Sequence, residues 1–157
     1  MPGYRTHMGA GVLTYIGVMM VVSTYFVYRP SFFLALEWFF CCVVGSLFPD
    51  IDIKSKGQLI FYRVMAICLV YFLWKGKMAA FVWASLLSMV PLLVRHRGLF
   101  HKIWFVGFVA FTSALALSHW YPLSQKMLII DACFFFAGAV SHILFDSWGT
   151  KLKFLRF

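Results

Sequence analysis

Charge is scarce in this chain, and negative charge scarcest: charged residues make up 12% of the 157, with five Asp and Glu against 14 Lys and Arg. A water-soluble domain of this length needs a solvated polar surface. A chain that is 63% hydrophobic, with a mean hydropathy of +0.88, cannot supply one. The four cysteines, Cys41, Cys42, Cys68 and Cys133, form no C-x-x-C pair and all lie in apolar runs. That excludes a disulfide framework and predicts buried free thiols. Low-complexity linkers and an internal repeat are absent, as is strict apolar–polar alternation, so neither an array of soluble domains nor a membrane β-barrel fits.

What the chain does have is long runs of Leu, Phe and Val, the pattern of membrane-spanning helices. Breaks between the runs predict six spans, roughly 9–28, 32–49, 59–74, 78–94, 103–121 and 127–148. The third and fourth are short, the third carries Arg63 near its start, and Lys75 to Lys77 join them, so five spans with a re-entrant hairpin over 59–94 is the alternative. The N-terminus places Arg5 before an apolar stretch, as a secretory signal does, but no small-residue cleavage site follows; we read it as a retained first helix. The expected fold is an all-α polytopic helix bundle, one domain over 1–157.

A formal charge of +9 would point to nucleic acid in a soluble chain. In a membrane chain it orients the spans and meets anionic headgroups, so no nucleic-acid partner is expected. Six crossings put 1–8, 50–58, 95–102 and 149–157 on one side. That side holds Arg5, Lys54, Lys56, Arg95, Arg97, Lys102, Lys151, Lys153 and Arg156; the other holds Arg29, Lys75, Lys77 and Lys126. Nine cations against four predict cytoplasmic N- and C-termini.

Four polar groups fall at that same side: His7, the pair Asp50 and Asp52, the pair His96 and His101, and His142 with Asp146. His142 and Asp146 are four apart, which puts them on one helix face where imidazole nitrogen and carboxylate oxygen can converge on one ion. A simple hydrogen-bonded pair has the same spacing. Asp50 and Asp52 follow Pro49 at the end of a span, where unpaired carboxylates are costly; they suit one shared ion, two ions, or pairing with Lys54 or Lys56. In "RHRGLFHK", Gly98 allows a turn that lets His96 and His101 face one centre, while Arg95 and Arg97 offer fork-shaped donors for phosphate oxygens. A basic headgroup-level loop explains the cations but not the histidines. His7, alone at a helix start, draws its weight from the others.

The ordered set "THMGAG", "GSLFPDIDIKS", "RHRGLFHK" and "SHILFDSWGT" resembles the YdjM-like family of bacterial inner-membrane proteins, the membrane-bound metal-dependent hydrolases. The H-x-x-x-D element also looks like a ligand pattern of zinc-dependent phospholipase C and P1-type nucleases. The resemblance implies metal ligands or their close partners at His7, Asp50, Asp52, His96, His101, His142 and Asp146, and hydrolysis of a phosphoester. Seven candidates exceed one tetrahedral zinc, which favours two divalent ions, Zn²⁺ ahead of Mn²⁺ or Fe²⁺, bridged by Asp50 or Asp52. Asp52, His101, Arg95 and Arg97 are the expected catalytic groups, and a phospholipid or polyprenyl phosphate in the bilayer the expected substrate. The rivals are a metal-ion or proton transporter, with Glu37, Asp131 and His119 at its opposite mouth, and a non-catalytic scaffold.

Overall fold

The computed structural model describes residues 4–93, 98–120 and 124–154, which form six α-helices and, among the described residues, no strand. In chain order these are α1 (Tyr4–Tyr25), α2 (Phe32–Leu47), α3 (Lys56–Trp74), α4 (Met78–Leu93), α5 (Ile103–Trp120) and α6 (Gln125–Phe154). Short 3-10 turns at Phe48–Asp50 and Leu99–His101 follow α2 and precede α5. Polar caps set two of the starts: Ser31 accepts from the Leu34 amide and Ser55 from the Gln58 amide.

Length and hydropathy suit α1, α2 with its following turn, α3, and α6 as far as Trp148 to a membrane crossing; α4 and α5 are apolar but shorter. At 19 residues α3 spans about 28 Å, close to the full hydrocarbon core. It runs antiparallel to α4, and the Tyr62 hydroxyl donates to the Ser88 carbonyl at 3.1 Å. Large apolar side chains such as Leu13, Ile67, Val70 and Trp83 point outward, an arrangement that only lipid makes favourable. The bundle is the expected all-α membrane architecture.

The centre of the bundle is the contact of α2 with α6. Trp38 stacks on Phe134 at 4.9 Å beside the buried Cys42. One turn further, Gly45 faces the Phe135 carbonyl and Gly138 the Cys42 carbonyl so closely that a methyl group at either would collide with backbone. Helices in lipid gain by such close approach, since burial of apolar surface there gives little. Helix α1 lies across both, tied to α2 by the Tyr15 hydroxyl donating to the Ala35 carbonyl at 2.8 Å.

The expected last span, 127–148, lies within the apolar part of α6, Gln125–Trp148, and the helix runs on to Phe154, because one glycine, Gly149, costs a helix only about 1 kcal/mol. One expectation needs correction. The cysteines are free, as expected, but only Cys42 is fully buried; Cys41 and Cys68 are half-buried and Cys133 is exposed. An apolar run in a membrane chain faces lipid as readily as protein.

Candidate metal centre

The Phe48–Asp50 turn is where the chain leaves α2. Pro49 starts it, and the Ser55 hydroxyl donates to the Asp50 carbonyl at 2.7 Å while capping α3, which holds Asp50 at the bundle's end. The second turn is drawn to the first by Phe100, buried and packed edge-on against Phe48 at 5.7 Å. It carries His101. Helix α6 passes beneath both and presents His142 and, one turn on, Asp146; α1 adds His7 from its first turns.

These five side chains converge. His142 Nε2 lies 3.4 Å from Asp50 Oδ1, and His101 Nε2 lies 3.8 Å from both Asp50 Oδ1 and Asp146 Oδ2. His7 Nε2 lies 3.8 Å from Asp146 Oδ1, and its ring stacks on His142 with centroids 3.8 Å apart. Two ligand-type groups, His7 with Asp50 and His142, and His101 with His142 and Asp146, each have donor atoms within 4.8 Å of one another. His7 and His142 are almost completely buried.

The hydrogen bonding of His142 is the informative detail. Its Nδ1 is 2.7 Å from the Ser46 carbonyl, which can only accept, so Nδ1 carries a hydrogen and Nε2 is the ring nitrogen turned toward the cluster. That Nε2 is buried and faces a carboxylate oxygen. An imidazole nitrogen and a carboxylate oxygen 3.4 Å apart in a low-dielectric site need positive charge between them, either a proton on the ring or a metal ion. The spacing also fits one: bonds of about 2.1 Å subtending a tetrahedral angle put their outer atoms about 3.4 Å apart. A ligating histidine whose other nitrogen is fixed by a carbonyl is the usual outer-shell arrangement of metal sites. Burial, and then the neighbouring His142, push the His101 imidazole below its ordinary value, although the Asp50, Asp52 and Asp146 charges oppose this. It is therefore neutral near pH 7, as a ligand must be.

The predicted residues divide as follows. His7, Asp50, His101, His142 and Asp146 come together. Asp52 is outside the two ligand-type groups but acts on His101 through its charge, with both carboxylate oxygens buried. Arg95, His96 and Arg97 lie outside the described residues. The two groups share His142, whose single available nitrogen serves one ion, so a second ion would rely on carboxylate bridging. Glu37 and His119 are exposed on α2 and α5, and Asp131 is half-buried on α6, apart from this cluster.

Sequence reasoning missed the surroundings. One side of the cluster opens into a cavity of about 810 Å³, lined by His7, Asp50 and Asp146 together with Lys54, Lys56 and Arg63 of the α3 segment. The available signal was Arg63, an arginine inside an apolar span. Ser46 and Gly138 gave no signal, because their role depends on which helix faces them.

No curated protein and no solved structure matches the chain. Residues 1–152 match the family described as YdjM inner membrane protein. The match covers nearly the whole chain, the helices and the four motif segments included, so this multi-pass inner membrane protein belongs to the YdjM inner membrane protein family.

Proposed function

We propose that the protein is a membrane-embedded hydrolase that depends on divalent metal and cleaves a phosphoester of a lipid-like substrate. The observation that supports this reading is the convergence at His142, with Nδ1 held by the Ser46 carbonyl and a buried Nε2 facing Asp50, of three further ligand-type side chains. His7, Asp50 and His142 would hold one ion; His101 and Asp146, with a carboxylate shared, would hold a second. Zinc, or manganese or iron in its place, would polarise a phosphoryl oxygen and lower the pKa of a water.

The chain's own residues do the rest. The Ser46 carbonyl fixes the His142 tautomer, and the close approach of α2 and α6 fixes its distance from Asp50. Asp52, outside both ligand-type groups and beside His101, takes the proton that water loses as its oxygen bonds to phosphorus. The bond from phosphorus to the leaving alcohol breaks, and that oxygen takes up a proton. Arg95 and Arg97 neutralise charge on the phosphoryl oxygens. Cytoplasmic placement at the membrane edge lets a substrate keep its tail in lipid.

The test is release of nitrophenol from p-nitrophenyl phosphate and bis-p-nitrophenyl phosphate by the purified full chain. Zinc, manganese or iron should support it, a chelator should abolish it, and Asp52→Asn should lower it by about a hundredfold or more. Release that is absent with every metal, or unchanged in Asp52→Asn, overturns the proposal.

A further inference from the structure

The cavity beside the cluster has a polarity that the hydrolase reading does not use. Its lining combines the ligand-type side chains with three cations: Lys54 and Lys56 around the start of α3, and Arg63 seven residues further on, about 10 Å along the helix. A guanidinium inside a membrane span is costly unless it is paired or meets water. Among the described residues no carboxylate pairs with Arg63, which is exposed and lines this cavity. The two nearest acidic groups on the cavity wall, Asp50 and Asp146, are engaged with the histidines.

We infer that Arg63, with Lys54 and Lys56, binds the phosphoryl oxygens of an anionic, phosphate-terminated lipid headgroup that reaches the cavity from the bilayer between α1 and α3. Three observations converge on this class. The volume of about 810 Å³ exceeds what a phosphate ion needs and falls in the range of whole-ligand sites. Three cations on the lining favour a headgroup with more than one negative charge. They disfavour a zwitterionic one, whose ammonium would meet them. And α1 packs on α2 and α6 while α3 packs on α4 and the Phe48–Asp50 turn, so the cavity lies in the seam between two helix groups, with the exposed Leu59 at its edge. The planar guanidinium suits two phosphoryl oxygens at once, which a lysine ammonium cannot match. This assignment rests on the phosphoester reading for its reaction, but its binding step stands on the cavity alone.

Binding is therefore the test. The full chain in detergent is titrated with phosphatidylcholine micelles with and without phosphatidic acid, and separately with inorganic phosphate, while zinc content is measured on the same samples. Phosphatidic acid should bind, inorganic phosphate should compete with it only weakly, and phosphatidylcholine alone should not bind. Arg63→Gln should weaken phosphatidic acid binding by about tenfold to a hundredfold, with Arg63→Lys in between. Zinc content should be the same in both variants as in the unaltered chain, which shows that they fold. Equal binding by Arg63→Gln, or Arg63-dependent binding of inorganic phosphate without binding of phosphatidic acid, overturns the inference. Arg63-dependent lipid binding by a chain that takes up no metal would support it while removing the hydrolase reading.

Discussion

Replacing Gly138 by alanine probes the centre without touching a ligand atom. Gly138 and His142 are four residues apart on the face of α6 that meets α2, so Gly138 opposes Cys42 and His142 opposes Ser46, one turn on. A methyl carbon needs roughly 3.5 Å from an opposing oxygen, and the Cys42 carbonyl is far inside that limit. The helices must part. The bond from His142 Nδ1 to the Ser46 carbonyl, 2.7 Å long, has only about 0.9 Å of slack before it ceases to be one. Overpacking costs about 1–3 kcal/mol and an unmade buried hydrogen bond about 1–3 kcal/mol, against a gain of about 0.5–1 kcal/mol for alanine in a helix. Gly138→Ala should therefore lose roughly 1–5 kcal/mol, and its zinc affinity should fall by about tenfold to a hundredfold, as for other changes to the support of a ligand. Thermal melting in detergent and competition with a chromophoric chelator measure the two. Gly17→Ala, where the added carbon has nothing within 4 Å, is the control and should melt no lower than the unaltered chain. Indistinguishable behaviour of the two variants would refute the account of how α2 and α6 build the site.

Other outcomes follow from the same geometry. Because the folded state holds the His101 pKa below its ordinary value of about 6.5, the unfolded chain protonates first as pH falls. Metal-free stability should thus be level above that value and decline below it, and His101→Gln should flatten the decline in a melting series across pH 7 to 5. A fluorescent protein fused after Phe157 should fluoresce, and alkaline phosphatase inserted at Gly76 should be active, if the termini are cytoplasmic; the reverse pattern would refute the charge-based orientation. Glu37→Gln should leave zinc content unchanged, whereas a transporter using that carboxylate would lose metal uptake into vesicles.

Much of this arrangement was legible in the chain because lipid imposes strong rules. The spans follow from length and hydropathy, and sidedness from counting crossings, so Asp50, His101, His142 and Asp146 could be expected at one end before any coordinate was known. The spacing of His142 and Asp146 needed only helical geometry. His7 could be read only in company, yet it is among the most deeply buried members of the cluster, stacked on His142. The division between Asp50 and Asp52 could not be read, since it depends on a 3-10 turn that points two residues apart into different surroundings. Gly45 and Gly138 look like ordinary breaks in apolar runs until the partner backbone is known. The reach of Arg63 was hidden for the same reason, because a lone cation in a span says that it has a purpose but not which face it lines.

The central claim is that His7, Asp50, His101, His142 and Asp146 hold divalent metal. Elemental analysis of protein purified without chelator tests it most directly. Roughly one to two divalent ions per chain are expected in the unaltered protein, and very little after both His142 and Asp146 are replaced by alanine. A chain that carries no divalent metal, or a double variant that retains full occupancy, would contradict it.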